Sequence, residues 1–411
     1  MIIKKIFGAD MIVGTRLDIN PAFAYKLSGA LVKVFQRKNL SFVVGCDTRI
    51  ESKALAQALV DGLTKCGAEV FFVDQTTCGG ISYGIKYFKA TAGVLVTGSE
   101  KNFLYNGFKI FNGNGFKISD EQMTAVQFSF LHDAFSYDIY SKTNYIDNFN
   151  EFYAKYLSGF VENRTNLLFD LAHGSGIAVC KYLQKYADIC CFNDTSNGYD
   201  INYNCGINNF MYKSGSWNVK LDGDCDKIMI ISPSGKILKG DLLLTAFALA
   251  ENEPIVTNLL TNNSCFDLLD KHNVKYELAG IGERRLVDAM LKKGYNLCGE
   301  KSGNIIWLET KTSDAFVTAL KFANIKDEKI VQTVIDLQQV PSKEIKLSLD
   351  YEKVNSSKFQ TILDEIERDL ENNGKIIVRI NHLEGEINVY IECKDNEILS
   401  KFVQKIQNYL Q

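Results

Sequence analysis

Apolar and polar positions change their period along the chain, and three segments repeat the same change. Ser41 to Val73 starts with a short apolar run (SFVVGC), passes a polar turn, takes up helical spacing over ALAQALVDGL and returns to an apolar run at EVFFV. Leu167 to Phe192 and Pro254 to Leu278 follow the same course. A run of β-branched or aromatic residues that gives way to helical spacing after a turn is the mark of a strand–helix–strand unit. Parallel strands joined in this way need a sheet covered on both faces. The wide spacing of the three units predicts separate α/β domains in tandem.

The tail follows another pattern. Asn355 to Asn372 is helically periodic, Gly374 to Glu392 reads as a hairpin around NHLEGE, and Phe402 to Leu410 reads as a closing helix. Helices on an antiparallel sheet make a small α+β unit. The polar stretch Phe135 to Asn150 is the expected first linker, and Gln338 to Ser342, with Pro341, the last.

Composition narrows the function classes. Forty-six Lys and Arg against 49 Asp and Glu leave a net charge of -3 over 411 residues, with no basic run to hold nucleic acid. The most apolar stretch, Leu242 to Ala250, is about half of what a membrane span needs, and Met1 to Gly14 has no continuous apolar h-region. Four prolines exclude Pro-rich linkers. The eleven cysteines are scattered with no CxxC, so free thiols in a reducing cytoplasm are expected. The four histidines have no zinc spacing, and no zinc site is expected.

The densest candidate chemistry is Asp222-Gly223-Asp224-Cys225-Asp226, followed by the apolar run IMIIS. Alternate side chains of an extended segment share one side, so three carboxylates converge there. Converging carboxylates call for a hard cation, and oxygen-only ligation suits Mg2+. An EF-hand loop fails, because Lys227 and Pro233 stand where it needs Gly and Glu. A solvated acidic turn is the plain structural alternative.

The second candidate lies in Ala92 to Phe111, where a buried strand runs into Thr97-Gly98-Ser99. A serine presented on a glycine turn at a strand end suits a nucleophile or phosphate carrier, although such turns are also common as plain structure. There is no GxSxG elbow to support a hydrolase triad. A serine that carries phosphate and a three-carboxylate metal site are the two halves of a phosphoryl-transfer centre, with Lys109 to move a proton or screen the oxygens. Gly113-Asn114-Gly115 reads as a hairpin turn, and Ala172-His173-Gly174-Ser175-Gly176 has the form of a glycine-rich phosphate loop at a helix N-terminus but lacks the P-loop lysine.

On these motifs the chain resembles the α-D-phosphohexomutases, which include bacterial phosphomannomutase/phosphoglucomutase and phosphoglucosamine mutase. The resemblance runs in order over essentially the whole chain. Val96 to Ile110 (VTGSEKNFLYNGFKI) is similar to the family's TGSHNP…YNGFKI loop, which implies Ser99 as phosphoserine and Lys109 as the proton-transfer lysine. Asp222 to Lys227 is similar to the DGDGDR loop, implying Asp222, Asp224 and Asp226 as Mg2+ ligands, with Ser99 completing the site and Lys227 in place of the arginine. Gly299 to Asn304 resembles the GExSGH sugar loop, with Glu300 and Ser302 on the sugar hydroxyls. Gly282-Glu283-Arg284 resembles the VGDR turn, Gly45 to Arg49 the GxDTR segment, and Arg379 opens the counterpart of the RxSNTEP phosphate loop. Lys227, Arg284, Arg379 and Arg16 would join Glu300 and Ser302 in binding substrate.

The implied fold is α/β: three tandem mixed-sheet α/β domains plus a C-terminal α+β domain around a central cleft, at residues 1–136, 137–239, 240–338 and 339–411. The implied reaction is transfer of phosphate between the 1- and 6-positions of a hexose through a phosphoserine, with Mg2+ and a hexose 1,6-bisphosphate as activator and intermediate. A small sugar phosphate is the expected partner of a cytoplasmic monomer or homodimer, without nucleic acid or membrane. The YNGFKI wording points to mannose or glucose phosphate. The alternatives are glucosamine phosphate, towards which Phe7-Gly8 and Asp10 point, and a relative that binds sugar phosphate or a partner with little turnover. The departures bear on that last alternative. Val13 stands at the family's N-terminal arginine, with Arg16 three residues on, and Glu100 and Asn304 stand at its histidines. Asn102, Gly385 and Cys78 of the Thr76-Thr77-Cys78 turn lie where proline is usual. In the terminal loop His382 would contact phosphate when protonated.

Overall fold

A computed structural model gives the architecture and describes residues 6–8, 10–162, 167–381 and 385–410. The first sheet holds β1 (Ile12–Thr15), β2 (Ser41–Cys46), β3 (Glu69–Gln75), β4 (Ala92–Val96), β5 (Tyr105–Asn112) and β6 (Thr143–Tyr145), in the order β1-β5-β4-β2-β3-β6. The second holds β7 (Leu167–Asp170), β8 (Ile189–Phe192), β9 (Trp217–Leu221), β10 (Ile228–Ile231) and β11 (Ile237–Leu238), in the order β11-β10-β9-β7-β8. In the third, β12 (Ile255–Asn258), β13 (Tyr276–Ala279), β14 (Leu297–Gly299) and β15 (Ile305–Trp307) run β13-β12-β14-β15. The fourth is antiparallel, with β16 (Ser342–Ser348), β17 (Gly374–Asn381) and β18 (Glu386–Cys393) in the order β16-β18-β17.

Each strand–helix–strand unit read from the sequence forms a parallel pair: β2 with β3, β7 with β8 and β12 with β13. Alternation sorts the side chains of the first sheet between two layers. Phe42, Val44 and Cys46 join one apolar cluster, while Val43 joins another on the opposite face. That second cluster runs on without a break to Val334, so the first three sheets share one apolar core. The tail has a core of its own, from Ile345 to Leu410.

Two sequence expectations need correction. Phe135 to Asn150 is not a free linker, because β6 lies within it and pairs in parallel with β3. Asn144 Nδ2 donates to Glu69 Oε1 at 2.8 Å, and the polar composition is that of a short, half-exposed edge strand. The closing helix begins at Asn396, a turn and a half before Phe402. Asp395 accepts from the N–H groups of Glu397 and Ile398 and starts the helix ahead of its apolar stripe. The helix Gly240–Glu251 carries the apolar run Leu242 to Ala250 in the core, and no described helix is long and apolar enough to cross a membrane.

Candidate active site

The candidate residues gather where strands of three sheets end. Ser99 follows β4, Asp222 follows β9 and Glu300 follows β14, all at carboxyl ends, which is where open α/β sheets hold their ligands. Ser99 is buried and has a φ of 51°, a left-handed backbone conformation uncommon for a residue with a side chain. Its N–H donates to Thr97 Oγ1 at 2.9 Å, and its carbonyl accepts from Arg49 at 3.1 Å and Asn202 Nδ2 at 2.7 Å. The loop is thereby gripped from both the first and the second unit. Behind the aspartates, Gly174 lies so close to Gly223 that a Cβ there would fall 2.4 Å from the Gly223 carbonyl oxygen. Ser175 N–H donates to that same oxygen at 2.9 Å, so the Ala172–Gly176 loop is the floor of the aspartate loop.

The side chains meet in one cluster. Ser99 Oγ donates to Asp222 Oδ2 at 3.1 Å and accepts from Lys109 Nζ at 3.1 Å. Lys109, on β5, stands 2.7 Å from Asp224 Oδ2 and 2.6 Å from Asp226 Oδ2. Asp222, Asp224 and Asp226 are all buried. Asp222 Oδ1 accepts from the N–H groups of Asp226 and Lys227, which curls the loop around its first carboxylate. Burial, joined by the charges of Asp224 and Asp226, pushes the Asp222 carboxyl well above its usual range. Burial acts the same way on Asp226, but Lys109, Lys117 and Lys227 outweigh it and hold that carboxyl far below the range. For Lys109, burial disfavours the ammonium, and Asp224 and Asp226 more than restore it. Asp224 Oδ1 and Asp226 Oδ1 are buried with no hydrogen-bond partner among the described residues. Those two bare oxygens, beside a third carboxylate, fit a hard divalent cation.

The sugar-loop candidates sit against the aspartate loop. Glu300 accepts from Asn258 Nδ2 at 2.8 Å and from Ser302 Oγ at 2.9 Å. Asn304, at the family's histidine position, donates to the Asp226 carbonyl at 3.2 Å and ties the two loops together. Lys227 Nζ pairs with Glu100 Oε2 at 2.7 Å, and that ammonium, against the cost of burial, holds the Glu100 carboxyl below its usual range. The remaining arginines are not brought to the cluster. Arg16 pairs with Glu51, and Arg284 pairs with Asp120. Buried Arg284 keeps Nε and one terminal nitrogen without a partner among the described residues. Arg379 is exposed on β17 opposite Asn388, and His382 lies outside the described residues.

Sequence models of the phosphoglucomutase/phosphomannomutase family match at two places, α/β/α domain I over residues 4–136 and α/β/α domain III over residues 239–342. Together they cover more than half of the chain. It belongs to the α-D-phosphohexomutase superfamily, a family of mutases. Phosphoglucosamine mutase from Limosilactobacillus reuteri is 28% identical, with 98% of this chain and 97% of that protein covered. The Bacillus subtilis phosphoglucosamine mutase is 26% identical at 98% and 97% coverage. Among solved structures, a phosphoglucomutase/phosphomannomutase family protein from Burkholderia thailandensis matches with a TM-score of 0.79 at 17% identity, over 99% of this chain and 97% of that one. Aspergillus fumigatus N-acetylphosphoglucosamine mutase, solved with GlcNAc-6P and magnesium, matches with a TM-score of 0.70 at 14% identity, over 98% and 95%. At such identities the structural matches speak for the fold.

The phosphohexomutase cluster also holds residues that sequence reasoning passed over. Lys117 is buried and bridges Asp226 Oδ2 at 3.1 Å and Glu283 Oε2 at 2.6 Å, and Glu283 accepts from Thr312 Oγ1 at 2.7 Å. This chain links the aspartate loop to the third unit. The available signal was a lysine inside the apolar stretch Phe116-Lys117-Ile118, since a charge at such a place needs a partner when buried. Cys78, read only as a turn residue, has its Sγ 3.4 Å from Asp224 Oδ2.

Proposed function

We propose that this phosphohexomutase interconverts glucosamine 6-phosphate and glucosamine 1-phosphate through a phosphate carried on Ser99. The observation that carries the reading is the placement of the Ser99 hydroxyl between the Lys109 ammonium and the Asp222 carboxylate, inside a buried three-aspartate loop. In the forward half-reaction the phosphoryl group leaves Ser99 Oγ for the free sugar hydroxyl, whose proton is released. The other phosphate of the hexose 1,6-bisphosphate then returns to Ser99 Oγ as its bond to the sugar oxygen breaks, and that oxygen takes up a proton in place of the one released in the first half. Lys109 contacts Ser99 Oγ and Asp226 at once, so it relays the proton that the serine oxygen gains and loses.

Mg2+ is the proposed ion, held by Asp222, Asp224, Asp226 and the serine phosphate. It would offset charge on the transferring group. Glu300 and Ser302 are proposed to meet the sugar hydroxyls, and Lys227, Arg284, Arg379 and Arg16 the substrate phosphate. For the hexose, glucosamine takes precedence over the mannose or glucose suggested by YNGFKI, because curated relatives matching along nearly the whole chain carry the name phosphoglucosamine mutase. The magnesium and hexosamine phosphate in the Aspergillus structure are in keeping with both assignments.

Coupled assays on the phosphates of glucosamine, glucose and mannose test the proposal. The expected kcat/KM for glucosamine phosphate exceeds the others by roughly tenfold or more, as a polar group met by the site discriminates strongly. A preference for glucose or mannose phosphate overturns the hexosamine assignment. Inertness towards all three, with binding of one in calorimetry, makes the chain a sugar-phosphate binder instead.

A further inference from the structure

Cys78 opens the helix Cys78–Phe88, just after the Thr77 cap. Its N–H donates to the Asp224 carbonyl at 3.0 Å, which fixes the residue to the aspartate loop by its main chain. The thiol is fully buried, and one ligand atom each from Cys78, Asp224 and Asp226 lie within 4.8 Å of one another. Asp224 Oδ1 and Asp226 Oδ1 are the unpartnered buried oxygens of the same cluster. Sulfur and carboxylate oxygen stand about 3.6 Å apart across a tetrahedral zinc-type ion. Cys78 Sγ donates a hydrogen bond to Asp224 Oδ2 at 3.4 Å, a separation already close to that spacing.

We infer that Cys78 turns this cage into a mixed sulfur–carboxylate site that takes a thiophilic divalent cation of the Zn2+, Co2+ or Cd2+ class. Cys78 Sγ and one oxygen each of Asp224 and Asp226 are the ligands. A hard-oxygen site discriminates weakly among divalent ions by charge alone, and a thiolate adds preference for the softer ones. Ligation releases the thiol proton to solvent. The ion takes over the two carboxylates that Lys109 now contacts, so the lysine is displaced from them. The inference rests on the proposed role of Asp224 and Asp226 as metal ligands and is independent of which sugar is the substrate.

The test is a titration of the metal-stripped protein with Co2+, followed by absorbance, in the wild type, Cys78→Ser and Cys78→Ala. Circular dichroism checks that each variant is folded. A near-ultraviolet sulfur-to-cobalt charge-transfer band is expected in the wild type and absent from both variants. Zn2+ affinity is expected to fall by at least about tenfold in the variants, since even an outer-shell partner of a metal is worth ~10–100-fold. Mg2+ affinity, carried by the carboxylates, is expected to persist. Co2+ binding without the band, or a band that survives Cys78→Ser through another cysteine, overturns the sulfur ligand while leaving the Mg2+ reading intact. Failure of the wild type to bind Mg2+, Mn2+ or Co2+ overturns both.

Discussion

Lys117 and Glu283 form a buried pair, and Asp226 shares the same ammonium as well as that of Lys109. Lys117→Met strands Glu283, while Asp226 keeps Lys109, and the loss is expected to cost about 3–5 kcal/mol in urea unfolding. The double variant Lys117→Met/Glu283→Gln should recover part of that loss, and failure to recover any would show that the pair does not act as a unit. Glu100 and Lys227 present a different case, because Glu100 is half-exposed and its pairing is screened by solvent. Glu100→Gln frees Lys227 for a phosphate and is expected to lower KM for the sugar phosphate by roughly fivefold, about 1 kcal/mol. An unchanged KM would remove Lys227 from the substrate contacts. The three aspartates and Ser99 were legible in the sequence because each loop spells its residues contiguously. Lys117 and Cys78 were not, since their partners lie far away in sequence and only the fold brings them together.

Elements were legible wherever period and length agreed. The three strand–helix–strand units declared themselves through runs such as SFVVGC, while β6 escaped notice because three polar residues on a sheet edge show no alternation. Helix starts that rest on a single side chain were also hidden, as at Asp395. Asp314 caps the helix Ala315–Ala323 and accepts from Tyr153 at 2.5 Å. Burial pushes its carboxyl up to about 6, against the opposing pull of Tyr153 and two helix N–H groups. The folded state therefore keeps a proton that the unfolded chain has already lost between about pH 4 and pH 6. Stability from this group is present below that window and lost as pH rises through it, on the order of 1–3 kcal/mol. Denaturant melts of wild type and Asp314→Asn across pH 4 to 7 should differ by that slope, and parallel curves would contradict it.

At the scale of the molecule, one apolar core unites the first three sheets, and the tail joins them through polar contacts. Asn262 holds Val340 through both its amide nitrogen and its oxygen. Lys301, in the Gly299–Asn304 loop, donates to Tyr390 on β18 at 3.0 Å, and Tyr390 donates to the buried Glu392 at 2.7 Å. Tyr390→Phe leaves both charges short of a partner, a loss of about 1–3 kcal/mol. Limited proteolysis near residues 338–342 should then proceed faster than in the wild type, and an unchanged rate would mean that this contact does not hold the tail. Such an arrangement sets the Gly299–Asn304 loop between a three-sheet body with a shared apolar core and a fourth unit with its own core, while Ser99 and the aspartates stay within the body.

Phosphate transfer to Ser99 is open to a direct measurement. The protein is incubated with glucosamine 1,6-bisphosphate and Mg2+, and intact mass and peptide mapping locate any added phosphate. One phosphate per chain on Ser99, absent from Ser99→Ala, is the predicted result. A wild-type chain that gains no phosphate, or carries it on another residue, would exclude Ser99 as the phosphate carrier.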